Sequence, residues 1–229
     1  MRFGSILDLF RKDNWSIELV DMIMEMLDLG AEMFDYTIGV IVQGDSDLDK
    51  QEKLYDRDIR INKLERTIRR RVVSHLSVKR TTAEVPSALI FMNVVKDAER
   101  IGDYVKNLHE VVGMMPKNAD RKIYQDHLAA PAGIIAGLFN QTRQAFADSD
   151  AEMAGKVIKT AKSEGRKCED GIRAITTSDL GTQDAVCLVL ALRFYKRVAA
   201  HMSNIASTVV MPVDLIDFYD EPETPPRQP

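Results

Sequence analysis

Phe91-Met-Asn-Val-Val-Lys-Asp-Ala-Glu-Arg-Ile-Gly-Asp-Tyr-Val-Lys-Asn-Leu-His-Glu-Val-Val112 is the stretch whose periodicity decides the fold. Its apolar positions, Phe91, Val94, Val95, Ala98, Ile101, Val105, Leu108 and Val112, recur every three or four residues and form one stripe of a helix. Working outward, the same spacing runs through Val20, Ile23, Met24, Leu27, Ala31, Phe34, Ile38 and Ile41, then through Leu54, Ile61, Leu64, Ile68 and Val72. Gly113–Asn118 breaks the pattern, and three further helical blocks follow over 124–147, 151–175 and 182–210. Helix starts are expected at the capping patterns Ser46-x-x-Asp49, Thr81-x-x-Glu84 and Ser149-x-x-Glu152, with Pro86 tolerated in a first turn.

The two sets of three blocks match. Gly44-Asp-Ser-Asp47 and Ala147-Asp-Ser-Asp150 each precede the second helix of their half. One constant register pairs Val95 with Leu192, Ile101 with Val198, Val105 with Met202 and Leu108 with Ile205. It also pairs Arg100 with Arg197 and Asn107 with Asn204. A repeat of roughly 100 residues built from three helices accounts for this. The expected fold is all-α: two tandem antiparallel three-helix bundles with six long helices. The expected organisation is a first repeat over 1–115, a second over 119–212, and a disordered tail over 213–229, where Pro and polar residues accumulate after Glu221.

The 229 residues are 45% hydrophobic and 29% charged, ordinary for a globular protein, and only 7% aromatic, which favours helices over a sandwich. A formal charge of −4 gives no overall reason to bind nucleic acid. Two cysteines, Cys168 and Cys187, fit a reducing cytoplasm and plain helix packing better than a disulfide framework. The charges at Asp8, Arg11 and Lys12 interrupt any signal-peptide core, and no run reaches the ~20 apolar residues of a bilayer span. Without a P-loop, GxGxxG, GxSxG or HExxH pattern, the nucleotide-binding and hydrolase readings lack support. His75, His109, His127 and His201 read as ordinary helix residues, and Trp15 as an anchor for chain entry.

Chemistry concentrates between Lys96 and Asn107. Glu99 and Asp103 stand at i and i+4, so their carboxylates leave the third helix one turn apart, on a flank well away from the apolar stripe. Their repulsion costs a few tenths of a kcal/mol, which a cation would reverse. On the second helix Asp58, Asn62, Glu65 and Arg69 form a stripe, and antiparallel packing would bring Asp58 or Glu65 towards that pair. Such a carboxylate cluster suits Mg, Ca, Mn or Fe better than Zn. The alternative is a solvated face neutralised by Lys96, Arg100 and Arg69. The acidic stripe Asp21, Glu25, Asp28, Glu32 and Asp35 on the first helix is read as a solvated face. The basic run Arg66, Arg69, Arg70 and Arg71, with Lys79 and Arg80, is read as complementing the dipole at the C-terminal end of the second helix, a phosphate or partner-docking site being the alternative.

Glu99-Arg-Ile-Gly-Asp103, followed by Asn107, closely resembles the signature of the PhoU family, and Asp58-x-x-Ile-Asn-x-Leu-Glu65 resembles that family's second-helix pattern. Lys196-Arg-Val-x-x-His-x-x-Asn204 looks like a degenerate second copy, with Lys196 in place of the Glu and Ala200 in place of the Asp. The resemblance covers residues 17–212 and is strongest over 58–112. It implies a non-enzymatic, cytoplasmic regulator of phosphate transport or signalling. Its partner would be a phosphate transporter, that transporter's ATPase, or a sensor kinase. It also implies carboxylate-bound iron or manganese (Mg or Ca as alternatives), with Glu99 and Asp103 as ligands and Asp58 as a further one. No metal is expected at the second copy, where an ammonium replaces a ligand. A homodimer is compatible with this reading. A metal-dependent carboxylate enzyme and a metal-free helical interaction module remain the competing readings.

Overall fold

In the computed structural model of the chain, residues 14–45, 47–78 and 82–217 are described. Six long helices run in the order α1 (Asn14–Ile38), α2 (Leu48–Val78), α3 (Val85–Glu110), α4 (Arg121–Asp148), α5 (Ala151–Thr176) and α6 (Thr182–Val210). Three precede the Met115–Asp120 connection and three follow it, as two tandem antiparallel three-helix bundles. The apolar stripe that opened the sequence reading is the centre of the molecule. Phe91, Val94, Val95, Ala98, Ile101, Val105 and Leu108 are all buried, and α3 lies along α6 to join the bundles. Each fully buried side chain of this size contributes about 1.5–3 kcal/mol of transfer free energy.

The helix starts differ from the sequence expectation: the N-cap of α3 is Glu84, with no side-chain cap hydrogen bond, where Thr81 was expected, and that of α5 moves by one residue. Asp150, not Ser149, caps α5, accepting from the backbone N–H of Glu152 (2.9 Å) and Met153 (3.0 Å). Ser149 instead ends α4 with φ +54°. Its repeat counterpart Asp47 accepts from Lys50 N–H at 3.3 Å at the start of α2. The aspartates win because an ionised carboxylate also complements the positive end of the helix dipole. Ser46 and Thr81 lie outside the described residues.

Helix α1 passes through a π-helical turn, Gly39–Gln43, and stops at Gly44 with φ +77°, a conformation suited to glycine. Arg121, the first residue of α4, then donates to the carbonyls of Val40 (3.1 Å) and Ile41 (2.9 Å). One guanidinium therefore satisfies the end of the first bundle's opening helix from the second bundle. A side chain at Gly44 would also press on Arg121 Nε, 3.2 Å from the added carbon.

A second polar tie crosses between bundles in the middle of the α3–α6 contact. Asp97, 7% exposed, accepts from Asn204 Nδ2 at 3.2 Å and pairs with His201 Nδ1 at 2.6 Å. Tyr104 stacks on His201 with centroids 5.5 Å apart, and the repeat register makes these two equivalent positions. His201 is thus part of an inter-bundle network, beyond the ordinary helix residue expected.

Part of the segment read as tail is structured. Val213–Leu215 form a 3-10 turn, Ile216 is buried, and Asp217 N–H donates to Ser207 Oγ at 3.3 Å. The Pro-rich stretch after Glu221 lies outside the described residues.

Candidate functional site

Helices α2 and α3 approach closely where the motif places its glycine. A carbon added at Gly102 would sit 2.9 Å from Ile61 Cδ1 and 3.4 Å from its Cγ2. The hydrogen at this position lets the two backbones close up and brings their polar flanks together into one seam. Into it project Asp58 and Glu65 from α2 and Glu99 and Asp103 from α3. Side-chain exposures are 12%, 11%, 11% and 27% respectively, so the pair expected on the flank of α3 is largely covered by α2.

Four carboxylates in one seam require cations, and four basic side chains answer them. Lys106 Nζ lies 3.1 and 3.0 Å from the two carboxylate oxygens of Asp58 and 3.4 Å from Asp103 Oδ1. Lys96 Nζ lies 2.6 Å from Glu99 and 3.8 Å from Glu65. Arg69 reaches Glu65 at 2.9 Å, and Arg100 reaches Asp103 at 3.4 Å. Lys106 binds across the helices, which makes it the central clamp of the seam. Desolvation alone would lower the pKa of its ammonium, but the hydrogen bonds and charges of Asp58 and then Asp103 outweigh that and raise it. Glu65 Oε1 is buried and held by the charges of Arg69 and Lys96, with no N–H aligned on it as a hydrogen bond.

Asp58, Glu65, Glu99 and Asp103, which antiparallel packing was expected to bring near one another, share one seam. Nothing in the sequence marked Lys106 as the partner shared by Asp58 and Asp103, although it stands three residues after Asp103. As to a metal, the ammonium marks the position of a positive charge bridging Asp58 and Asp103, and the oxygen donors suit a hard cation in chemistry. The same geometry shows the obstacle, since Lys106 fills that position. Among the described residues no three His, Cys, Asp or Glu side chains converge as ligands.

Neighbouring features are internally paired. The acidic stripe of α1 meets arginines from other helices: Glu25 with Arg60 (2.7 Å), Glu32 with Arg57 (2.6 Å), Glu18 with Arg71, and Asp28 with Arg143 (3.0 Å). These carboxylates, with Glu18 beside the stripe, keep 40–60% of their side-chain exposure, so the face is solvated and also tied to other helices, with Arg71 drawn from the basic run. Trp15 anchors chain entry by stacking on His75 at 3.9 Å, and His75 pairs with Glu84 at 2.5 Å. Burial pushes the Cys168 thiol up to about 12, as suits a packing residue.

Fold and seam together define a class: an all-helical, tandem three-helix-bundle protein with a carboxylate-rich seam between the second and third helices of its first bundle. Comparison with known proteins gives that class a family. The family model described as PhoU domain matches residues 23–112, the first bundle with its seam. The Pseudomonas aeruginosa "Phosphate-specific transport system accessory protein PhoU homolog" is 25% identical over 207 residues, covering 86% of this chain and 84% of its own length. Its Thermotoga maritima counterpart, homolog 1, is 33% identical over 93 residues, 38% of this chain and 39% of its own. The crystal structure of PhoU from Pseudomonas aeruginosa superimposes with a TM-score of 0.73 at 20% identity, over 86% of this chain and 96% of that one. PhoU from Streptococcus pneumoniae gives 0.64 at 16% identity, over 86% and 95%. These superpositions carry the fold. Residues 23–112 thus match the PhoU domain, and the chain as a whole shares the fold of the PhoU structures.

Proposed function

We propose that this protein is a non-enzymatic accessory and regulatory component of a phosphate-specific transport system, working on the cytoplasmic side by docking to the transporter's ATPase or to a sensor kinase. The observation that carries this reading is the match of 86% of the chain to 84% of a protein described as an accessory of that transport system. Agreeing with it, no described helix is long and apolar enough to cross a membrane, so the chain would act on a transporter from outside the bilayer. The seam chemistry agrees too. Its carboxylates are held by ion pairs, and none is presented with a paired acid or base for turnover. The test is binding of the purified chain to the ATPase subunit and to the kinase's cytoplasmic portion. A saturable complex with either supports the reading, and failure to bind both counts against it.

The family suggests a second element, a metal at the first-bundle seam, and the four carboxylates gathered in that seam favour it. Glu99, Asp103 and Asp58 would hold iron or manganese, with Lys106 swung out of the seam. The metal would supply the charge compensation that Lys106 provides here, so occupancy would bias how tightly α2 and α3 are clamped. Elemental analysis of protein purified without a chelating tag tests this. Stoichiometric iron or manganese, lost in Glu99→Gln/Asp103→Asn, supports it. No metal after aerobic and anaerobic loading removes it.

A further inference from the structure

The repeat makes the second bundle's α5–α6 seam the counterpart of the one just described, yet its chemistry is inverted. The register that aligns Ile101 with Val198 sets Lys196 against Glu99 and Ala200 against Asp103. On the facing helix α5, the register that matches Gly44–Asp47 with Ala147–Asp150 sets Ala161 against Asp58, Gly165 against Asn62 and Cys168 against Glu65. A carbon added at Gly165 would touch Lys196 Cγ at 3.6 Å, so the stem of Lys196 walls the seam beside that glycine. A cleft of about 370 Å³ opens here, with Ser203 at its buried end.

Three cationic side chains, Lys162, Arg166 and Lys196, line this cleft against a single carboxylate, Glu169. Glu169 pairs with Lys196, and that hydrogen bond and charge hold its carboxyl below the usual range. Arg166 has no carboxylate partner among the described residues. In the first bundle each of four cations meets a carboxylate in the seam; here Lys196 has Glu169 and Lys162 has contacts of its own, and Arg166 carries the unmatched charge among the described residues that line the cleft. The protein as a whole is acidic, at −4, so a general basic surface does not explain the excess.

We propose that the α5–α6 cleft binds a tetrahedral oxyanion of the phosphoryl class, either free phosphate or the phosphate of a small monoester. A guanidinium presents a planar pair of donors that matches phosphate oxygens, and an ammonium adds a point charge. The volume lies at the lower end of small-ligand pockets, roughly 300–1,000 Å³, and so admits a phosphate with a short organic group. Lys196 and Arg166 hold the anion, Lys162 closes the rim, and Glu169 shares Lys196 from the side. This goes beyond the proposed function and does not rest on it, because the cleft would bind such an anion whatever the chain docks to.

The experiment is calorimetric titration of the full chain at low ionic strength, once with inorganic phosphate and once with O-phosphoserine. One saturable site is expected. Lys196→Met and Arg166→Ala should each weaken it at least about tenfold, the effect of losing one charge-assisted contact of ~1.4 kcal/mol or more. Ala200→Asp returns the first bundle's carboxylate to this seam and should abolish binding. Lys159→Met, an exposed residue elsewhere on α5, should change nothing. Helical circular dichroism on every variant separates lost binding from lost folding. Tighter phosphate than phosphoserine identifies the free anion as ligand, and the reverse identifies a monoester. The proposal is overturned by no saturable binding of either probe, by binding that survives Ala200→Asp in a folded protein, or by equal weakening in Lys159→Met.

Discussion

Replacing Lys106 with methionine keeps the length of the side chain and removes the ammonium that ties α3 to α2. Asp58, with 12% of its side chain exposed, would lose a partner at 3.0 and 3.1 Å, and Asp103 one at 3.4 Å. Removing one partner of a buried ion pair costs about 3–5 kcal/mol because the other charge is stranded. Asp103 keeps Arg100 and more than a quarter of its solvent access, which lowers the expectation to about 2–3 kcal/mol. For a chain of this size that is a fall in Tm of roughly 4–12 °C, read by thermal circular dichroism at pH 7. The pH dependence supplies an internal check. The folded pKa of Lys106 is raised, so its contribution is complete below the unfolded value of ~10.4 and is lost as pH rises through the folded value. The gap in stability between the native protein and Lys106→Met should therefore be flat from neutrality to about pH 10 and should narrow above it. If a metal exchanges with Lys106, manganese should stabilise Lys106→Met more than the native chain. A variant within 1 °C of the native Tm at pH 7 would refute the clamp.

Four further outcomes follow from individual contacts. Gly102→Ala should destabilise by about 1 kcal/mol in urea unfolding, the overpacking against Ile61 outweighing the gain in helix propensity. Asp150→Ala should cost about 1 kcal/mol by removing the α5 cap, whereas Ser149→Ala should cost nothing at the cap. Tyr124→Phe should cost about 1.5–3 kcal/mol, because the fully buried hydroxyl donates to Asp184 at 2.7 Å and its loss leaves that carboxylate short of a partner. Asp97→Ala should cost about 2–4 kcal/mol and raise amide exchange on both α3 and α6, since one carboxylate serves His201 and Asn204 across the bundles.

The fold was legible because its signal is periodic and repeated. Phe91 to Leu108 lines one helical face, and the same spacing returns in α6 at a constant register; few alternatives bury both stripes. Local chemistry read less well. Ser149 and Asp150 are neighbouring capping residues, and only backbone geometry shows that the serine ends one helix while the aspartate starts the next. The carboxylates of the seam were visible as two stripes, since i, i+4 and i, i+7 spacings fix the side of a helix. Lys106 was not, because a lysine's long stem can reach several partners, and its choice depends on how closely Gly102 lets α2 approach. The network of Asp97, His201 and Asn204 joins residues about a hundred positions apart. Its trace in the sequence was the pairing of Asn204 with Asn107 under the repeat register, which says nothing of Asp97.

The most direct test of the account is phosphate uptake in the native host with and without this chain, measured after growth in abundant phosphate. An accessory regulator of the transporter predicts that loss of the chain alters uptake, and that the intact coding sequence supplied in trans restores it. Unchanged uptake and unchanged transporter expression, in limiting and in abundant phosphate, would contradict the proposed function.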